Sequence, residues 1–210
     1  TEPIMHKKMV MEDAIYSRKD VAIVDIDFAK AYDSTERFAK DISLRRMGIP
    51  EEGLHILQQF DATRELHILT AFGLTDQITP ECGAWGQGAV ESPAGWLAFM
   101  SWMTDYLDAL EADPYLYETE EGDLKLTDAV FADDVILTSP SRKAAQLLVD
   151  GISSFATAIG IEVKPSKSYM YTNIPGPPVY VTTYLQLDTK YKLTTPTHTN
   201  LPPIVDSAQN

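Results

Sequence analysis

The chain has 210 residues, with 31 acidic against 17 basic side chains and a net charge of −14. A hydrophobic content of 44% with 23% charged residues is globular, not disordered, and a chain this long buries about 70% of its unfolded surface. One cysteine (Cys82) excludes an internal disulfide, four scattered histidines exclude the usual structural zinc site, and neither an apolar run of roughly 18 residues nor an apolar leader core is present.

Residues 21–28 read as a strand. Ala22, Val24, Ile26 and Phe28 form an apolar face, and Asp25 and Asp27 share the other with Val21 and Ile23. A helix is predicted next, with Asp33 and Glu36 spaced as a capping box and Gly48 and Pro50 ending it. A short helix follows over 51–60, carrying Leu54, Leu57 and Phe60, and strand-like pieces flank Gly73. Ser92-Pro93 opens a long helix, with Ser92 as cap and Pro93 at the first helical position. Its stripe of Trp96, Met100, Met103, Leu107 and Leu110 has core spacing. Residues 127–138 read as a tight hairpin with Asp133 and Asp134 at the tip. A helix over 141–159 ends at Gly160, and strands are predicted at 168–172 and 179–187. From Thr194 onward the Thr- and Pro-rich sequence reads as a loose tail. Strands, hairpins and helices in this order predict an α+β layer fold.

The charge is uneven: residues 51–150 hold 19 acids and four bases, while both ends are near neutral. On charge alone a nucleic-acid surface is not expected. The first residue is Thr, not Met, which predicts a processed chain or a piece of a longer one.

Three acids stand out chemically: Asp27 at a strand end, and the adjacent Asp133 and Asp134. Neighbouring carboxylates repel unless a cation neutralises them. Mg²⁺ suits such a set, because it prefers oxygen donors and is held by a few carboxylates plus substrate phosphates. The alternative is a solvated Asp-Asp turn. The apolar flanks Val130-Phe131-Ala132 and Val135-Ile136-Leu137 weigh toward the cation.

Four segments in order resemble reverse transcriptases, especially those of retroelements without long terminal repeats and of group II introns. Asp27-Phe-Ala-Lys-Ala-Tyr-Asp33 is similar to the first catalytic motif, and Gln87-Gly88-Ala-Val-Glu-Ser92-Pro93 to the Gln-Gly-x-x-x-Ser-Pro motif. Phe131-Ala-Asp-Asp134 resembles the third, with Phe in place of the usual Tyr, and Gly160 through Lys167-Ser168 resembles the fourth. Gly86 and Glu91 depart from the larger, often basic, and the apolar residues common at those positions. Gly48-Ile-Pro50 and the Gly73 hairpin also fit, so the resemblance covers roughly residues 8–187.

The resemblance implies a polymerase palm, an antiparallel sheet with helices packed on one face, with incomplete fingers and no recognisable thumb. Residues 1–20 would be a fingers remnant or leading helix, 21–190 the palm, and 191–210 the tail. The implied reaction is templated nucleotidyl transfer with two Mg²⁺ ions, for which Mn²⁺ could substitute. Asp27 and Asp133 would bridge the ions, Asp134 would support one, and the Phe28 carbonyl would complete the second site. Tyr32 would select deoxynucleotides, Gln87, Gly88, Ser92 and Pro93 would shape the template and nucleotide pocket, and Lys167 would serve the leaving pyrophosphate. The implied partners are an RNA template, a DNA primer, deoxynucleoside triphosphates and the missing fingers and thumb of a parent protein. The implied residence is intracellular, nuclear or cytoplasmic for a eukaryotic retroelement. Asp25 would support the site or be structural, and Asp33 could be a cap alone. Two rivals stay open: a palm-type nucleotide cyclase, and an inert palm remnant serving as a scaffold.

Overall fold

The computed structural model describes residues 2–63, 65–78, 85, 92–177, 179–181 and 205–206. Its centre is strand β1 (Ala22–Ile26), and the fold is α+β. The antiparallel partners of β1 are β8 (Asp134–Ser139) and β10 (Tyr169–Thr172); β7 (Asp128–Phe131) continues the sheet beyond β8. The strand order is β11-β10-β1-β8-β7, where β11 (Val205–Asp206) lies parallel on the edge of β10. That pairing is a difference from the loose tail expected after Thr194. Of the strand expected at 179–187, residues 179–181 are not extended into a ladder, and 182–187 lie outside the described residues.

One face of β1 and β8, formed by Ala22, Val24, Ile26, Val135 and Leu137, is buried under α5 (Ser92–Asp108) and α6 (Arg142–Ala158). Trp96, Met100, Met103 and Leu107 of α5 meet Leu148, Ile152 and Phe155 of α6 there, each buried, at roughly 1.5–3 kcal/mol per large apolar side chain. The predicted stripe on α5 is therefore core. The chain meets this layer through the Ser141 cap, whose Oγ accepts from Ala144 N at 3.1 Å.

The opposite face carries a thinner second layer. Val10 and Ala14 of α1 (Glu2–Tyr16) pack on Val21, Ile23 and Ile136. Tyr115 joins them from the hairpin of β5 (Tyr115–Thr119) and β6 (Gly122–Leu126). Asp13 ties α1 to that hairpin: Tyr115 Oη donates to it at 2.6 Å and Lys19 Nζ at 3.2 Å. Burial and the Asp13 carboxylate push the Tyr115 phenol far above its ordinary range.

The helix predicted after β1 is interrupted. A short α2 (Ala31–Ser34) and α3 (Arg37–Arg46) are separated by extended Thr35 and Glu36. Glu36 N donates to Ile159 O at 3.0 Å, at the end of α6, so a tertiary bond replaces the expected capping box. After α4 (Glu51–Ala62), β3 (Leu69–Thr70) and β4 (Gly73–Leu74) form an exposed hairpin at the expected Gly73. Only Leu54 of the three apolar α4 residues is buried; Phe60 is exposed.

Gly95 on α5 has no space for a side chain, because a Cβ there would lie 2.0 Å from the buried Trp85 ring. Alanine normally gains about 1 kcal/mol over glycine inside a helix. Here overpacking dominates, and Gly95→Ala is expected to destabilise by about 1–3 kcal/mol. Urea melts of parent and variant check this; an unchanged or higher midpoint would show that Trp85 yields.

Candidate active site

Asp27 stands where β1 ends, and its backbone is fixed on both sides. Its N–H donates to Ser168 Oγ at 3.2 Å and its carbonyl accepts from Lys164 N at 2.8 Å. β2 (Phe28–Ala29) then pairs with β9 (Glu162–Val163), Phe28 opposite Val163. The Asp27–Lys164 bond makes Phe28 a non-hydrogen-bonded position, which turns its carbonyl away from β9.

The register Ile26 opposite Val135 brings Asp27 level with Asp134. The intervening tip is Ala132-Asp133. Ala132 has φ 55°, a conformation that costs an L-residue about 1–2 kcal/mol. Its carbonyl accepts from Trp96 Nε1 at 2.7 Å, so the core helix α5 holds the acidic turn in place.

Side chains alternate across this tip. Asp134 shares a face with Ile136, Asp25 and Asp27. With Lys7, Lys167 and Tyr169, three of those carboxylates — Asp25, Asp27 and Asp134 — line one cavity of about 270 Å³. Asp133 lies on the side of Tyr32, whose phenol is raised by burial and then by the Asp133 charge. The cavity beside Asp27 is lined by Asp134, while Asp133, in the turn between β7 and β8, stands near both Asp134 and Tyr32. Among the described residues no three His, Cys, Asp or Glu side chains stand as a ready metal cage. The donor set still fits Mg²⁺, which takes one or two carboxylates and completes its shell with water and substrate phosphates.

Tyr32 is half-buried and stacks on Trp96, with ring centroids 4.6 Å apart, while reaching the acidic tip. It is a packing aromatic and a site neighbour together. Lys167 closes the 3-10 turn Pro165–Lys167, and its Nζ is 4.0 Å from Asp27 Oδ2. Ser92 is buried and Pro93 exposed at the start of α5, one position further into the helix than expected. Gln87 and Gly88 lie outside the described residues, as does the side chain of Asp33.

Sequence reasoning left out two partners of this site. Trp96 reads as core, and its bond to Ala132 has no sequence signal. Lys7 bonds Asp25 across 18 residues, at 2.5 Å, which no local pattern marks.

Burial and then the charges of Asp133, Asp27 and Asp25 hold the Asp134 carboxyl above its ordinary value, against the pull of Lys7. A raised carboxyl favours the folded state while it is protonated. That contribution is full below the unfolded value of 3.8 and is lost as pH rises through the folded one. With divalent ions chelated, Asp134→Asn is expected to remove this loss and to melt higher at neutral pH. Melting temperatures of parent and variant from pH 3 to 8 check it; parallel curves would contradict it.

A family model described as reverse transcriptase (RNA-dependent DNA polymerase) matches residues 4–197. Among solved structures, apo telomerase from Candida tropicalis, truncated from its C-terminal domain, matches with TM-score 0.57 and 12% identity, over 84% of this chain and 36% of that one. Telomerase from Candida albicans, solved with a TWJ fragment of telomeric RNA, matches with TM-score 0.54 and 10% identity, over 85% and 31%. The chain thus spans about a third of the telomerase chains it resembles, and at these identities the likeness shows the fold alone. No curated protein matches.

Proposed function

Because the chain belongs to the reverse transcriptase (RNA-dependent DNA polymerase) family, we propose that it is the palm-centred part of a polymerase that extends a DNA primer on an RNA template. The observation that carries this reading is the cavity shared by Asp27 and Asp134, with Lys167 beside Asp27. Two Mg²⁺ ions bound there would acidify the primer 3′-hydroxyl and neutralise the triphosphate as the leaving pyrophosphate departs.

The chain's own residues supply the rest. Asp27, Asp133 and Asp134 would hold the cation pair, with Asp133 on the Tyr32 side, and the Phe28 carbonyl would offer a further oxygen. Lys167 Nζ is placed to give a proton to the leaving pyrophosphate, as a general acid. Tyr32, braced by Trp96, lies under the sugar of the incoming deoxynucleotide. By their motif, Gln87, Gly88, Ser92 and Pro93 would contact template and base. The motif set 27–33, 87–93, 131–134 and 160–168 supports a parent from a retroelement without long terminal repeats or a group II intron, acting in the nucleus or cytoplasm of its host. Among the described residues no helix is long and apolar enough to cross a membrane.

The test is primer extension on an RNA template by the longer parent protein, with Mg²⁺ or Mn²⁺. Metal-dependent incorporation of deoxynucleotides supports the reading. A parent that binds template yet never extends the primer would leave the palm as an inert scaffold.

A further inference from the structure

The cavity between β1, β8 and β10 contains a cation that belongs to neither the turn nor the resembled motifs. Lys7, on α1, reaches across the sheet and donates to Asp25 Oδ2 at 2.5 Å. Its Nζ also lies 5.0 Å from the centre of the Tyr171 ring, and the side chain is only 26% exposed. Asp25 Oδ1 is buried and has no hydrogen-bond partner among the described residues. Asp25 sits two residues before Asp27 on the same strand face and lines the same cavity.

An unpartnered buried carboxylate oxygen costs stability unless something else engages it. Lys7 offsets the Asp25 charge, and an ion beside Asp27 and Asp134 would share the cavity with that pair, as residues behind metal ligands commonly do. Three carboxylates (Asp25, Asp27, Asp134) face two ammoniums (Lys7, Lys167) around the cavity. Lys7 is the fixed part of that balance: it is held by Asp25 and Tyr171, whereas Lys167 is 60% exposed.

Resting on the metal reading above, we propose that Lys7 is a built-in counter-cation of the carboxylate cluster. It steadies the acids when no divalent ion is bound, and it holds the Asp25 charge beside the place where Asp27 and Asp134 would take an ion. Lys7 and Asp25 are positioning residues that set how tightly the site takes its cation. They also couple the docking of α1 to the occupancy of the site. A plain tether between α1 and the sheet would make Lys7 matter for stability alone.

The two roles separate in a charge-exchange series read by Mn²⁺ binding, using calorimetry and the loss of the free Mn²⁺ spin-resonance signal. Lys7→Met keeps the apolar stem and removes the charge. It is expected to melt lower without metal yet bind Mn²⁺ severalfold more tightly, since a like charge has left the site. Asp25→Asn is expected to bind Mn²⁺ on the order of tenfold more weakly. The double variant should return close to parental affinity, and Lys7→Arg should keep it. Lys7→Met that binds Mn²⁺ no more tightly than the parent, while Asp25→Asn is also unmoved, would overturn the counter-cation role. If Lys7→Met does not fold, Asp25→Asn and Lys7→Arg decide alone, and parental affinity in Asp25→Asn overturns it. A parent with no Mn²⁺ binding would instead overturn the metal reading beneath it.

Discussion

Asp61→Ala is expected to destabilise the domain by about 3–5 kcal/mol. Lys40 on α3 and Asp61 at the end of α4 form an ion pair of 2.8 Å with side chains 2% and 9% exposed. Lys40 Nζ also stands 5.1 Å from the Trp85 ring, so its whole surroundings are protein. Removing Asp61 leaves an ammonium in a medium that cannot solvate it, and the large cost comes from that desolvation rather than from the strength of the pair. The pair itself is not a large stabiliser. Lys40→Met with Asp61→Leu should therefore recover most of the loss. Denaturant melts of the two single variants and the double check this. A single variant within about 1 kcal/mol of the parent would mean that water reaches the pair.

Tyr32→Ala is expected to act in two registers. The ring stacks on Trp96, and losing a half-buried aromatic of this kind costs about 3 kcal/mol or somewhat more. In the longer polymerase, the same change should relax sugar choice. The ring is braced by Trp96 beside the acidic tip and cannot move aside for a 2′-oxygen. Forcing one oxygen into such a contact costs about 1–3 kcal/mol or more, and each 1.4 kcal/mol is about tenfold in rate. Tyr32→Phe should keep both the stack and the discrimination. The check is deoxy- against ribonucleotide incorporation, with melting on the same samples. A folded Tyr32→Ala enzyme that still rejects ribonucleotides as the parent does would remove Tyr32 from sugar selection.

What the sequence shows of this molecule follows the range over which its forces act. The alternation in residues 21–27 places Asp25 and Asp27 on one face without reference to the rest of the chain. The apolar flanks of Asp133-Asp134 define a hairpin, and the period of Trp96, Met100 and Met103 defines a core helix. These signals are local and each appears in the structure. The break at Thr35-Glu36 is not local, because it exists to satisfy the Ile159 carbonyl, more than a hundred residues away. The same holds for β11 on β10 and for α1 beneath the sheet. The alternating Tyr115, Tyr117, Leu124 and Leu126 around Gly122 did carry a hairpin signal, masked by the acidic run between them.

In the site, the motifs name Asp27, Asp133, Asp134 and Lys167, and Asp27, Asp134 and Lys167 line one cavity. Sequence order cannot say which of Asp133 and Asp134 faces Asp27, since a one-residue change of phase at a tight turn exchanges the two. Lys7 and Lys40 resemble surface charges in the sequence. Only the docking of α1 on the sheet and of α3 on α4 turns them into partners of Asp25 and Asp61.

The most direct measurement is anomalous diffraction at the manganese edge from crystals of the chain grown with Mn²⁺ and a deoxynucleoside triphosphate. A Mn²⁺ peak within inner-sphere distance of Asp27 and Asp134, with a second toward the triphosphate and Asp133, is expected. A saturated crystal whose anomalous peaks avoid the Asp27–Asp134 cavity, or lie only on unrelated surface acids, would contradict a metal-dependent polymerase centre.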